Sequence, residues 1–459
     1  MAPTAPTANA GGARNPEGHA AMNGDGRRIL TLALPTFGQL IAEPTFILID
    51  TAIVGHISDS ALAGLSIGST IILTAVGLCV FLAYSTTAQV AHLLGAGRRR
   101  EGMQAGVDGL WLALGIGIAL GIALFAAAEP LCRALGGQGD VLVQAVAYTR
   151  AIVLGAPGML LVYAANGIFR GVQKVRITLI AAVSGAVLNT LLEVLFVLVL
   201  RWGIAGSGAA TLIAQWYMGL FLAVPAVLWA RADGASLAPR LSGIAQAGSD
   251  GLPLFIRTLA IRAAMVVTVA SAARMGTDVL AGFQAVNSSW NFAMNMLDSV
   301  GIAGQTLVGT ALGAGAVAEA RRLTRATGRA GLATGVAIGL GFAVVGLFAG
   351  RFFSPSPAIQ LLVAAGMVTM GVFFPLQGWM MALDGILIGA RDYRYLAITC
   401  TLTAVAYIAL VLALADGLTP LLPGETARTV ALWTLFNVVL MGGRGLANGL
   451  RVRGDRWMR

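Results

Sequence analysis

The sequence predicts an all-α membrane protein of twelve transmembrane helices, arranged as two parallel six-helix lobes. Three observations predict it. Apolar stretches of about 20 residues recur from Ile29 to Leu450, each long enough to cross ~30 Å of hydrocarbon. Charge is scarce, with 11% charged and 57% hydrophobic residues and a mean hydropathy of +0.82, where a soluble domain carries roughly a quarter charged residues. Blocks of sequence also return at one constant offset. In lipid the backbone has to pair within each segment, so uninterrupted apolar runs of this length mean helices.

Residues 1–27 are rich in Ala, Gly, Pro, Thr and Asn without apolar periodicity and are expected to be a disordered cytoplasmic tail. A cleavable signal peptide would place a shorter apolar core nearer the start. Spans are expected at 28–56, 61–93, 104–128, 142–170, 176–200 and 204–230, forming an N-terminal lobe over 28–230. After a cytoplasmic linker at 231–250, a C-terminal lobe over 251–449 has spans at 251–274, 279–311, 327–350, 358–388, 394–415 and 427–449. Residues 450–459 form a second tail. Several spans exceed 25 residues, so they tilt or protrude.

Orientation follows from the basic residues. Of 30 Lys and Arg, 22 fall in the tails and alternate loops of one side, six lie on the other, and Arg257 and Arg262 fall inside the seventh span. This bias places both termini in the cytoplasm. With 29 Arg to one Lys and abundant Ala and Gly, a bacterial inner membrane is expected.

The repeat sets the architecture. Leu34-Pro35 returns as Leu252-Pro253, Leu62-Ala63-Gly64 as Leu280-Ala281-Gly282, and Leu94-Gly95-Ala96-Gly97 as Leu312-Gly313-Ala314-Gly315. Pro157 returns as Pro375, and Gly167-Ile168 with Gly171 as Gly385-Ile386 with Gly389, every offset being 218. Six spans per repeat is an even number, so the halves share one orientation about a pseudo-twofold axis along the membrane normal. Two lobes around a central cavity is a transporter plan.

Other functions fit poorly. The net charge of +10 is spread over short loops instead of a compact basic domain, which argues against nucleic acid. Cys79, Cys132 and Cys400 are widely spaced, and His19, His56 and His92 form no ligand pair, so neither a disulfide framework nor a metal site is expected. A GxxxxGK[ST] motif is absent, which disfavours an ATP-driven pump. No nucleophile or acid–base set suggests an enzyme. No cofactor is expected beyond a coupling ion, H+ or Na+. The expected partners are small organic substrates and the bilayer, with the protein a monomer.

Ionisable groups inside spans are costly and mark function. The first lobe has Glu43, Asp50 and Glu193. Helical rise puts Asp50 ~32 Å and Glu193 ~26 Å from the cytoplasmic end of their spans, both in the outer half. Asn189 shares the Glu193 face one turn below. Two carboxylates in a poorly solvated pocket can share a proton or hold a cation, so substrate and ion compete for one negative site. The bland readings are a solvated helix-end carboxylate for Asp50 and, for Glu43, a polar group at the lobe interface in place of a proton relay. Pro35 and Pro44 flank Glu43 and can bend the first span, which makes Pro35 a gating candidate. Carried by 218, Asp50, Asn189 and Glu193 become Thr268, Tyr407 and Val411, so the second lobe lacks this set. It carries Arg257, Arg262, Asp298 and Asp384, with an Arg262–Asp298 ion pair as the leading expectation.

The chain resembles the multidrug and toxic compound extrusion (MATE) family, in its DinF-type branch. The resemblance rests on Leu34-Pro35, the run Ile49-Asp50-Thr51-Ala52-Ile53-Val54-Gly55-His56, Leu62-Ala63-Gly64-Leu65 and Leu94-Gly95-Ala96-Gly97. It continues through Asn166-Gly167-Ile168-Phe169-Arg170-Gly171, Asn189, Glu193 and Gly203-Ile204-Ala205-Gly206-Ser207-Gly208. It implies secondary antiport, with an inward proton or sodium gradient driving an organic, usually cationic, compound out by alternating access. Asp50, Glu193 and Asn189 then match coupling positions, although the family more often has Asp where Glu193 stands. Tyr148, Asn166 and Thr211 match positions lining the first-lobe cavity. Because other branches couple ions through second-lobe acids, Asp298 and Asp384 are reserve candidates. The alternative function is a flippase for a lipid-linked precursor, which would favour a strongly cationic cavity.

Overall fold

The computed structural model describes residues 16–458 apart from His56, Ala349, Pro420 and Leu421, and side chains over that range except residues 16–23, Glu43, Phe46, Ile47 and Leu418. The first fifteen residues of the expected tail, His56 and the Glu43 side chain therefore lie outside the described residues. Every element among the described residues is helical.

In the first lobe, α1 is Pro16–Gly55, and α2 (Asp59–Leu78) with α3 (Phe81–Gly95) makes the second span. Then come α4 (Arg99–Ala126) and the short α5 (Ala128–Ala134), followed by α6 (Gly139–Val153) and α7 (Ala156–Gly171). The lobe ends with α8 (Val175–Glu193), continued by the π-helical turn Val194–Val199, and α9 (Gly203–Ala232). The second lobe contains α10 (Leu241–Met275), α11 (Thr277–Gly313), α12 (Val317–Phe348), α13 (Pro357–Gly389) and α14 (Tyr393–Ala413). Its last span is α15 (Gly424–Leu435) and α16 (Gly442–Arg453), joined by the π-helical turn Phe436–Met441. Counting each bent or broken pair once gives twelve span-length segments among the described residues, six per lobe, ten of them long and apolar enough to cross a membrane by length and composition.

The repeat extends to backbone conformation. Gly97 and Gly315, which are 218 apart, both have positive φ, 74° and 69°, and each closes its helix with the same pair of reversed amide bonds. Gln173 and Arg391, also 218 apart, take φ of 60° and 62° after α7 and α13. The copies diverge at their prolines. Pro157 starts α7 after a 45° bend from α6, whereas Pro375 lies inside the unbroken α13. A proline costs no hydrogen bond in the first turn of a helix, so α7 begins there.

Several boundaries differ from expectation, for one reason. The expected tail is already helical at Pro16, and buried Asp25 meets Arg322 of α12 at 2.7 Å while Arg28 meets Glu319 at 2.9 Å. Ion pairs to the other lobe hold this polar stretch, where hydropathy has no signal. Likewise α9 runs to Ala232 and α10 starts at Leu241, which shortens the expected linker, and α16 runs on to Arg453.

The lobes meet at their arginine-rich end. Tyr84 Oη donates to Asp298 Oδ2 at 2.8 Å, Gln305 Nε2 to the Tyr84 carbonyl at 2.7 Å, and Gln89 Nε2 to Asp250 Oδ2 at 2.7 Å. One apolar core runs across the seam through Leu82, Ala88, Leu254 and Leu307. At Gly95 and Gly313 the helices α3 and α11 cross so closely that a Cβ would strike the Thr310 and His92 carbonyls. Small residues permit this approach. Gly95→Val and Gly313→Val should each cost about 1–3 kcal/mol by overpacking or force the lobes apart. A lowered Tm, and a longer spin-label distance between α3 and α11, are the expected readouts.

Candidate functional site

The first-lobe cluster forms where α1, α8 and α9 converge. Asp50 is 4% exposed and Glu193 fully buried, which excludes the reading of Asp50 as a solvated helix-end group. Asn189 Nδ2 donates to Asp50 Oδ1 at 2.7 Å, and Thr211 Oγ1 approaches Asp50 Oδ2 at 3.5 Å. The Glu193 carboxyl neighbours that of Asp50. Neither Glu193 oxygen has a donor among the described residues. Glu193 is also the last residue of α8 before the π-helical turn, a distortion often found at functional positions.

Two cavities flank this cluster. One, of about 20 Å³, is lined by Asp50, Ser69, Tyr148, Thr211 and Gln215. Ser69 Oγ donates to Tyr148 Oη there at 3.3 Å. The other, about 40 Å³, is lined by Gln39, Tyr163, Asn166, Thr178 and Gln215. The structure thus unites Asp50, Asn189, Glu193, Thr211 and Tyr148. Asn166 sits in the adjoining cavity, apart from Asp50. Pro35 lies within α1 at half-buried depth. Sequence reasoning missed Gln215, which lines both cavities and carries no charge to mark it.

The second lobe is built differently at the matching positions. Thr268 Oγ1 and Tyr407 Oη are hydrogen-bonded at 2.8 Å where the first lobe has Asp50 and Asn189. The expected Arg262–Asp298 pair does not form. Arg262 is exposed with its guanidinium against Gly77, and Asp298 takes Tyr84 as its donor. Residues 257 and 262 point about 140° apart around a helix, so only one of them can face the lobe interior. Arg257 does, and it pairs with Asp384, which also accepts from Arg444 and from Asn448 Nδ2 at 2.6 Å.

Arg444 lies within the expected last span, 427–449, and is buried at 3% exposure. The repeat holds a signal for this network. Arg257 and Asp384 are the 218-shifted copies of Gln39 and Asn166, the neutral pair that lines the second of these cavities. In the first lobe, buried Arg170 donates to Gln39 Oε1 at 2.6 Å. No group of three or more His, Cys, Asp or Glu among the described residues could hold a metal ion.

A helical bundle of two parallel six-span lobes, with buried acids beside internal cavities, defines a polytopic membrane transporter. Comparison with known proteins makes this specific. The MatE family model matches residues 35–195 and 253–413, two blocks that start and end 218 apart. The chain belongs to the MatE family, whose members are transporters and not enzymes.

The chain is 28% identical to Protein DETOXIFICATION 44, chloroplastic, of Arabidopsis thaliana, over 89% of this chain and 79% of the relative. It is 28% identical to DNA damage-inducible protein F of Escherichia coli, over 78% and 79%, and 26% identical to multidrug resistance protein PmpM of Pseudomonas aeruginosa, over 83% and 81%. These relatives define the family without singling out one branch. The fold is similar to the outward-facing conformation of a multidrug resistance MATE family transporter, with TM-score 0.82, 21% identity and coverage of 94% and 96%. A Vibrio cholerae MATE transporter matches with TM-score 0.84, 19% identity and coverage of 96% and 99%. The flippase alternative is not favoured by these matches.

The geometry separates two second-lobe acids that sequence reasoning grouped together. Asp384→Asn leaves Arg257 and Arg444 buried without a counter-charge and should destabilise by about 3–5 kcal/mol. Asp298→Asn, which keeps an acceptor for Tyr84, should cost about 1 kcal/mol. Chemical or thermal unfolding of the two variants in one detergent checks the ranking.

Proposed function

We propose that the chain is a secondary antiporter that exports small organic cations in exchange for protons or sodium, coupled through Asp50 and Glu193. The observation that carries this reading is Glu193, fully buried beside Asp50 and without a donor from the protein among the described residues. Two such carboxyls need a proton between them or a shared cation. Asn189 is held on Asp50 Oδ1 and offers a further oxygen, which suits either ion. The two cavities have no Lys or Arg in their lining, which supports a cationic cargo. The names of the multidrug resistance relatives point to organic compounds of varied shape.

Alternating access supplies the transport step. The arginine bias supports cytoplasmic termini in a bacterial inner membrane. With the lobes joined at that end, this conformation faces outward. Ion binding at Asp50 and Glu193 discharges the site, the cargo leaves, and bending of α1 at Pro35 lets the lobes rock. Both lobes belong to one chain, so a single copy suffices.

Proteoliposomes loaded with pH and sodium reporters, and given a planar organic cation, test this. Cargo-driven flux of one ion is expected in the wild type and loss of it in Asp50→Asn and Glu193→Gln. Normal coupled flux in both variants would move the coupling site elsewhere.

A further inference from the structure

At the arginine-rich end of the second lobe, a groove of about 520 Å³ opens between α12, α13 and α16. Its walls carry Arg321, Arg325 and Arg329 from α12 and Arg453 from α16, with Trp379 and Trp457 beside them. No acidic side chain lines it. Arg321 is matched by Asp455 at 2.6 Å, whereas Arg325 and Arg453 have no ion-pair partner among the described residues.

The general cytoplasmic excess of arginine does not account for this concentration, because the first lobe has no equal. At the 218-shifted position the chain after α9 packs onto α4 instead, with Gln104 Nε2 donating to the Ser236 carbonyl and Trp111 Nε1 to the Leu237 carbonyl, each at 3.0 Å. Carried back by 218, Arg325 falls on Val107 and Arg329 on Trp111. The basic groove belongs to this lobe alone.

The groove continues into an apolar surface. Leu332 lines it, and Val336, Leu340 and Val344 extend the same α12 stripe at four-residue spacing, all exposed. Leu446 and Leu450 of α16 are exposed on the opposite side. A Cβ at Gly449 would run into the Trp379 ring, so glycine there leaves space for the indole. Tryptophan and arginine at the end of a span sit at headgroup level. Anion-binding guanidiniums beneath an apolar track match an amphiphile with an acidic head and an acyl chain, and guanidinium forks fit phosphate geometry.

We propose that the groove between α12, α13 and α16 binds the phosphate headgroup of an anionic phospholipid, whose acyl chain lies along the exposed α12 stripe. Each arginine near an anionic headgroup is worth about 1 kcal/mol, so removing two weakens binding about thirty-fold.

The test uses the full chain in neutral detergent, titrated with short-chain phosphatidylglycerol and followed by Tm. Wild type and the exposed-charge control Arg351→Gln should be stabilised alike, with Arg325→Gln/Arg453→Gln needing about thirty-fold more lipid. Equal wild-type and double-variant Tm in phosphatidylcholine shows that the fold is intact. Absence of any shift with phosphatidylglycerol, or an equal response of the double variant, overturns the proposal. Stabilisation by inorganic phosphate at the same concentrations makes the groove a simple anion site and overturns the lipid assignment.

Discussion

A charge carried into the hydrocarbon-bounded interior of a helical lobe has to be compensated within reach of its own side chain, and the two lobes meet this constraint in opposite ways. Asp384 is compensated by the protein itself, between Arg257 and Arg444 and with Asn448 on its second oxygen. This network holds α10, α13 and α16 together around an acid whose charge two guanidiniums already meet. Glu193 and Asp50 are compensated only in part, by Asn189 and a distant Thr211 hydroxyl. On the proposed reading a mobile ion meets the remaining charge, as an exchange site requires. One duplicated scaffold thus carries a fixed polar network in one copy and an open one in the other.

The same economy governs the seam between the lobes. Backbone approaches at Gly95 and Gly313 and a few cross-lobe hydrogen bonds join the lobes at the arginine-rich end, with Asp25–Arg322 and Arg28–Glu319 tying the start of α1 across. Surface ion pairs contribute little each, and hydrogen bonds of this kind are modest. The apolar core that crosses the seam through Leu82, Ala88, Leu254 and Leu307 adds to these contacts, and rocking of the lobes has to part it. The buried Asp384 network lies within one lobe, so rocking does not break it.

The architecture was readable because membrane insertion makes hydropathy nearly deterministic and because duplication left a constant offset of 218. Asp50, Asn189 and Glu193 could be grouped since helical rise places them at similar depth, and an acid in a span is conspicuous. Gln215 and Gln39 escaped notice because neutral polar residues in spans have many packing roles. Arg262 was paired wrongly because depth says nothing about rotation around the helix axis, which determines whether residue 257 or 262 turns inward. The helix from Pro16 escaped for a related reason, since its partners Arg322 and Glu319 lie in the other lobe.

By itself the sequence determined that this chain lives in a bilayer, crosses it twelve times in two like-oriented halves, and places Glu43, Asp50 and Glu193 within the spans of the first half. Those properties depend on segment length, the cost of burying charge and the parity of the repeat, all of which are local or additive along the chain. Tertiary structure decided which acids are neutralised by the protein, where the cavities lie, at which end the lobes touch, and that four arginines from two helices face one groove. Each of these depends on how helices far apart in sequence are rotated and crossed against one another, and a packed interface sets that while a linear pattern does not.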